Sequence, residues 1–337
     1  MTDYSATHEI LQDLDSKGKP RPWKEKKRSN MDLEKSYGRL KSGPVVDELT
    51  EWKLAYQKYE VLVRECGSFL AFNSNGKLVS MVSCKKRLCP LCNWRKSMKV
   101  FGSVSKVMNR ILEENPDLQP VFLTLTQRNC AFDDLRDEIS RIMKGFYRLY
   151  KNDLFANQVV GWFRALEVTY SRKSDTWHPH IHAILLFDKS YFSKENDRYI
   201  DQPGWIRLWR NSMRLGYDPN VDIRKLSSED GNLRKSVAEA AKYPLKDRQI
   251  LTADLSLTDR LVDCLTRSLR RKRLFAFGGL MHKVAKELNV DKPDEGDLIN
   301  IDEDGEMRSD VAEVAKVYRW HYGILDYVRC GSSNAKK

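Results

Sequence analysis

Two periods of hydrophobic spacing alternate along this chain. Residues 121–126 (Val-Phe-Leu-Thr-Leu-Thr) are β-rich, and 161–170 and 177–187 read as two further strands joined by the polar loop 171–176. Helical spacing runs through 47–64 (Leu49, Trp52, Leu54, Tyr56), through 100–112 up to Asn115-Pro116, and through 133–149 (Leu135, Ile139, Ile142, Met143, Phe146). A hairpin is predicted from 69–72 and 78–82 around the turn Asn73-Ser74-Asn75-Gly76. Further on, 205–215 is a short helix ended by Gly216, 217–226 a strand, 233–246 helical but interrupted by Pro244, and 257–269 a helix. The acidic stretch 291–310 reads as a linker, and 317–328 is a final apolar run. Helices and strands are interspersed, yet a hairpin sits in the middle of the order. That pattern predicts an α+β fold, an antiparallel central sheet with helices on one face, and argues against a doubly wound parallel sheet.

At 337 residues the chain can build a sizeable core. Its formal net charge of +12 points to a polyanionic partner, most simply nucleic acid. No apolar run spans a bilayer, and residues 1–10 lack the pattern of a secretory signal, so a cytoplasmic protein without membrane contact is expected. Residues 1–45 are polar, with Lys17, Lys19, Arg21, Lys24, Lys26, Lys27 and Arg28, and read as a flexible arm or solvated tail.

The densest chemistry lies in His178-Pro179-His180-Ile181-His182, which holds three of the six histidines in the chain. Side chains alternate along a strand, so His180 and His182 share a face and can ligate one divalent ion. If 171–176 closes a hairpin, the simplest register sets Glu167 opposite His180 on that face. Two imidazoles, one carboxylate and open positions suit Mg²⁺ or Mn²⁺ holding a phosphate oxygen. His178 has the same parity and is a candidate for contact with substrate or with the ligands.

Seven cysteines, an odd number, fit metal ligation with spare thiols better than a disulfide frame. Cys89-Pro90-Leu91-Cys92 is a CxxC knuckle, with Cys84 and Cys66 upstream, and this set suits a structural tetrahedral Zn²⁺. Arg87, Arg95, Lys96 and Lys99 crowd the knuckle and are candidates for contacting a DNA backbone. Cys130, Cys264 and Cys330 read as ordinary thiols.

In the run 239–246, Glu239 and Tyr243 are four residues apart and lie on one face of a helix. A tyrosine hydroxyl, with a pKa of ~10, needs help to act as a nucleophile. A metal-polarised phosphate and an ammonium such as Lys242 or Lys246 would supply it. By itself this pairing is bland.

Taken in order, residues 122–126, 167–170, 178–182 and 239–246 resemble the motifs of rolling-circle plasmid replication initiators of the HUH endonuclease superfamily. Within it the chain is similar to the branch with one catalytic tyrosine and a glutamate four residues earlier, including the cysteine-rich segment 84–95. The resemblance covers 66–246, with weaker echoes around 273–279. It implies an HUH nuclease core preceded by a small four-cysteine zinc-binding module. The expected division is a basic, partly flexible region 1–60, a zinc module 61–105, a nuclease core 115–250 and a helical, basic C-terminal region 251–337.

By the same resemblance, His180 and His182 are metal ligands and Tyr243 attacks a phosphodiester at the double-strand origin. The products are a 5′-phosphotyrosyl link and a 3′-hydroxyl that primes polymerase. Glu239 is the general base that activates water when a round ends, and Lys246 balances charge. The implied partners are single-stranded or hairpin origin DNA with flanking duplex, a host helicase and DNA polymerase. Trp177, Trp205 and Trp209 are candidates for base stacking. Competing readings are an HUH transposase or conjugative relaxase, and a non-catalytic zinc-containing DNA-binding regulator.

Overall fold

The computed structural model describes residues 9–43, 50–193, 196–226, 232–242, 247–299, 301 and 314–330. In chain order the elements are α1 (Trp23–Lys41), α2 (Thr50–Glu65), β1 (Phe69–Phe72), β2 (Leu78–Met81), α3 (Pro90–Glu114), β3 (Leu118–Leu125), α4 (Leu135–Tyr150) and α5 (Asp153–Ala156). There follow β4 (Val159–Ser171), β5 (Thr176–Asp188), α6 (Gln202–Met213), β6 (Val221–Lys225), α7 (Asn232–Ala240), α8 (Asp247–Ile250), α9 (Leu255–Ser268), β7 (Phe275–Gly278), α10 (Gly279–Glu287), β8 (Lys316–His321) and β9 (Asp326–Cys330). The fold is mixed α+β, with two wholly antiparallel sheets. The chain divides into one unit of residues 1–99, 250–266 and 296–337 and another of 100–249 and 267–295.

The second unit is built on a sheet of order β6-β3-β5-β4-β7. Its centre is the β4–β5 hairpin, whose register pairs Glu167 with His180 and Ala165 with His182. Strand alternation then sorts the side chains. One face carries Trp162, Arg164, Leu185 and Phe187 and meets α4 and α6 through the ring pairs Phe146–Trp162 (5.0 Å) and Phe187–Trp205 (6.4 Å). The helix α4 reaches that face with Leu135, Ile139, Ile142, Phe146 and Leu149, all buried at helical spacing. The opposite face carries Glu167, His178, His180 and His182, together with Phe122 and Thr124 of β3. Helix α7 lies against β5, and its Glu239 pairs with Arg224, which shares Phe122's face. Helices therefore flank both faces, not one.

The first unit holds a sheet of order β2-β1-β8-β9. Residues 23–41, expected to be part of a flexible arm, form α1, packed on α2 with Tyr37 stacked on Tyr56 at 5.8 Å. The buried stripe of α1 is Trp23, Lys27, Asn30, Leu33, Ser36 and Tyr37. Half of it is polar, which hides the helical period from a hydrophobicity reading. Arg39 fastens α1 to α9 by two hydrogen bonds to Asp259, of 2.7 and 2.8 Å.

Residues beyond 250, expected to be one helical and basic region, are shared between the units. Strand β7 forms an edge of the five-stranded sheet, and β8 pairs with β1 in the four-stranded one. A four-residue strand such as β7 gives too short a periodic signal to be read alone. No helix of the described residues is long and apolar enough to cross a membrane.

Candidate functional site

Strand pairing brings Glu167, His180 and His182 together. Glu167 Oε2 lies 3.4 Å from His180 Nε2 and 3.0 Å from His182 Nε2, and one ligand atom from each residue falls within 4.8 Å of the others. The far side of each ring is occupied. His180 Nδ1 is 3.1 Å from the His178 carbonyl, and His182 Nδ1 is 3.1 Å from Thr124 Oγ1. A carbonyl only accepts, so His180 Nδ1 carries the proton and a neutral ring turns its Nε2 lone pair toward the carboxylate. Two lone pairs facing each other need a cation between them, either a proton or a metal ion. The donor set therefore fits a divalent ion. Burial alone would raise the Glu167 pKa; with protons on the two Nε2 atoms as the cations, hydrogen bonds from His180 and His182 outweigh it and hold the carboxyl well below the usual range. Burial, followed by the charge of His180, pushes His178 down.

The remaining expected residues are placed unevenly. Glu239 sits near the end of α7, partly exposed, with Arg224 Nη2 3.3 Å from its Oε2. The Arg224 guanidinium also lies over the Phe122 ring at 4.8 Å, and that ring is 5.4 Å from the ring of His182. Lys242 is exposed. Tyr243 and Lys246 lie outside the described residues. Trp177, Trp205 and Trp209 are at most 1% exposed, so they pack the core and do not offer faces to bases.

The second cluster belongs to the other unit. Cys66, Cys84, Cys89 and Cys92 gather with Sγ separations of 3.5 Å (Cys66–Cys89), 3.6 Å (Cys66–Cys92) and 3.7 Å (Cys84–Cys92), and all four are free thiols. A tetrahedral ion with bonds of ~2.3 Å sets its sulfurs about 3.8 Å apart, close to these values. Backbone amides already point at the sulfurs: Cys84 N–H at Cys66, Lys85 N–H at Cys92 and Cys92 N–H at Cys89. Hydrogen bonds from Cys84, Cys89 and Cys92 hold the Cys66 thiol well below its ordinary range, while burial pushes Cys89 up. A cation is what would let all four ionise together.

Helix α1 supplies an outer layer that the sequence reading missed. Lys27, 1% exposed, donates to the carbonyls of Arg64 (2.7 Å) and Cys66 (2.8 Å). The Asn30 side-chain oxygen accepts from the Cys89 thiol at 3.1 Å. The cations near the knuckle serve a different purpose from the one expected. Arg95 is buried and donates to the carbonyls of Leu298 (2.9 Å) and Ile301 (3.3 Å). Lys96 and Lys99 are buried too, on the carbonyls of Lys85 (3.3 Å) and Asp297 (3.2 Å). These three cannot lie along a phosphate backbone. Arg87 is half-buried.

The architecture is thus that of a two-unit α+β protein with one candidate centre of imidazole and carboxylate and another of four thiols. The chain belongs to the replication protein family Rep_1, whose model matches residues 75–328. It is 33% identical over 354 aligned residues to a protein rep of Bacillus amyloliquefaciens, an alignment covering 97% of this chain and 98% of the relative. A protein rep of Streptococcus pneumoniae serotype 2 is 30% identical over 94% of this chain and 95% of its own length. A replication protein of Staphylococcus aureus is 32% identical over 64% of this chain and 93% of its own. No solved structure matches the chain significantly.

Proposed function

We propose that this replication protein is a plasmid rolling-circle initiator of the HUH, single-tyrosine kind, which nicks and rejoins one strand at the double-strand origin. The observation that carries the reading is the convergence of Glu167, His180 and His182 on one point of a sheet face. Those three residues would hold Mg²⁺ or Mn²⁺, and the bound ion would polarise the scissile phosphate. The Tyr243 oxygen forms a bond to phosphorus as the bond from phosphorus to the 3′ oxygen breaks. The phenolic proton is lost to solvent, and the leaving 3′ oxygen gains one to become the primer hydroxyl. Phenolate is a fair leaving group, so the link can be reversed to join strands. In the last step Glu239 takes a proton from a water whose oxygen bonds to phosphorus at the regenerated nick site as the bond from phosphorus to the 3′ oxygen breaks. That oxygen gains a proton to become a 3′-hydroxyl, and no second tyrosine is needed.

Two observations support this role for α7. The helix lies against the strand bearing the histidines, and Arg224 holds Glu239 by its carboxylate. Lys246 and Lys242 would balance charge on the phosphate. Zn²⁺ on Cys66, Cys84, Cys89 and Cys92 would be structural. Origin DNA, host helicase and polymerase are the expected partners, and the net charge of +12 suits the first of them.

The test is a labelled origin-strand oligonucleotide incubated with Mn²⁺ and either wild type or Tyr243→Phe. Wild type should produce a covalent protein–DNA adduct and a shortened strand. Tyr243→Phe should bind but leave the strand whole. An intact strand with wild type, or undiminished cutting by the variant, defeats the reading.

A further inference from the structure

Arg164 stands out on the sheet face turned away from the histidines. It is 6% exposed and forms no ion pair with a carboxylate among the described residues. Among the described residues its hydrogen bonds run from Nη1 alone, to the carbonyls of Arg273 and Leu274 at 3.3 Å each, and the guanidinium lies 5.9 Å from the Phe146 ring. A buried guanidinium without a carboxylate in contact is costly unless something else takes up its donors. Arg164 lines a cavity of about 520 Å³, together with Arg273 and the rings of Phe146, Tyr147, Tyr150 and Trp162. That volume falls in the range of ordinary ligand sites, ~300–1,000 Å³.

The rings form a continuous wall. Tyr150 lies 5.1 Å from Trp162 and 5.2 Å from Tyr147, and Tyr147 is 55% exposed. Trp162 is seated in the floor against bare backbone, because a Cβ on Gly278 would fall 2.1 Å from its ring. Arg273 closes a run of four cations, Arg270, Arg271, Lys272 and Arg273. Arg273 is the member of that run that lines the pocket, and an exposed arginine beside aromatic rings favours a nucleic-acid strand over a lone carboxylate of a protein partner. Arginine forks suit phosphate oxygens, and exposed tyrosine faces suit a base of any sequence.

We propose that this pocket is a subsite for one nucleotide of single-stranded DNA, with its phosphate on Arg164 and Arg273 and its base against Tyr147 and Tyr150. The proposal rests on the reading that the chain works on an unpaired strand. Three residues of extended chain separate Arg164 from Glu167, about 10 Å, and the two point to opposite faces. The subsite therefore takes a nucleotide other than the one that is cut.

The experiment is fluorescence anisotropy of dye-labelled (dT)₁₂ with the full chain, compared among wild type, Tyr147→Ala, Arg273→Ala and Arg164→Gln. Tyr147→Ala and Arg273→Ala change exposed side chains and should melt like wild type, yet each should weaken binding about tenfold. Arg164→Gln should weaken it at least as much; thermal melting shows whether that variant folds, and the two exposed variants decide the question if it does not. Photocrosslinking of an oligonucleotide bearing 5-iodouracil should label Tyr147 or Tyr150. Unchanged affinity in both exposed variants, or crosslinks found only elsewhere, overturns the subsite. If wild type nicks an origin strand while the variants bind normally, only the subsite falls. If the variants weaken binding but wild type never nicks, the subsite stands and the nuclease reading falls.

Discussion

The Thr124 hydroxyl of β3 meets Nδ1 of His182 at 3.1 Å, across the pair that sets these two residues opposite each other in the sheet. This contact fixes the turn of the ring and so the aim of its Nε2 at Glu167. Thr124→Val keeps the shape of the side chain and removes only the hydroxyl. It should raise the Mn²⁺ concentration needed for half-maximal nicking by about 10-fold or more, as outer contacts of metal ligands generally do. Isothermal titration of Mn²⁺ into the unreacted protein measures the same loss without turnover. An unchanged titration would detach Thr124 from the site.

Lys27 and Asn30 tie α1 to the thiol cluster, so the cluster's hold on metal should depend on a helix remote in sequence. Cys89→Ser should abolish stoichiometric zinc, measured by elemental analysis. Lys27→Met should keep the four sulfurs but release zinc to a chromophoric chelator about tenfold more readily. Cobalt-substituted protein provides a second reading, because the tetrahedral thiolate spectrum should survive in Lys27→Arg and weaken in Lys27→Met.

Arg95 provides a clear contrast between structural and DNA-binding cations. Its guanidinium is buried on two carbonyls, and burial pulls its pKa down to about 10. Arg95→Ala leaves those carbonyls unpaired and should destabilise the protein by about 2–4 kcal/mol, read by urea unfolding. The dependence of DNA affinity on salt should be the same for folded variant and wild type. A shallower slope would mean that Arg95 neutralises a phosphate after all.

The Arg224–Glu239 pair is partly exposed and contributes little to stability, about 0.2–1 kcal/mol. Arg224→Met should therefore melt near the wild-type temperature. If Glu239 acts on water, its loss of an anchor should slow release of the covalent adduct several-fold while leaving the first cut much less affected. Quenched time courses of adduct formation and decay separate the two steps.

Much of the histidine-bearing half was legible because its information is local. The β4–β5 hairpin has a short polar loop and two strands of matching length, and pairing outward from that loop sets Glu167 across from His180. The CxxC knuckle carries its meaning in four residues. What stayed hidden depends on distant partners. Thr124 meets His182 only once β3 has chosen β5 as its neighbour. Helix α1 presents Lys27, Asn30 and Ser36 inward, and a buried polar residue is indistinguishable in sequence from an exposed one. Arg95, Lys96 and Lys99 show the same ambiguity from the other side: their charges suggested a surface, and their partners are carbonyls of residues 298, 301, 85 and 297.

The pairing of β1 with β8 joins residues 69–72 to 316–319. A ribosome makes the chain from its amino end, so the cysteines emerge long before the strand that completes their sheet. Until the last hairpin is released, β1 has only β2 beside it, and two short strands are marginal in water. The five-stranded sheet has all its strands by residue 278 and can close earlier. Birth of the protein thus has an order: the imidazole-bearing half can take shape early in translation, and the sulfur-bearing half must wait for residues 316–330.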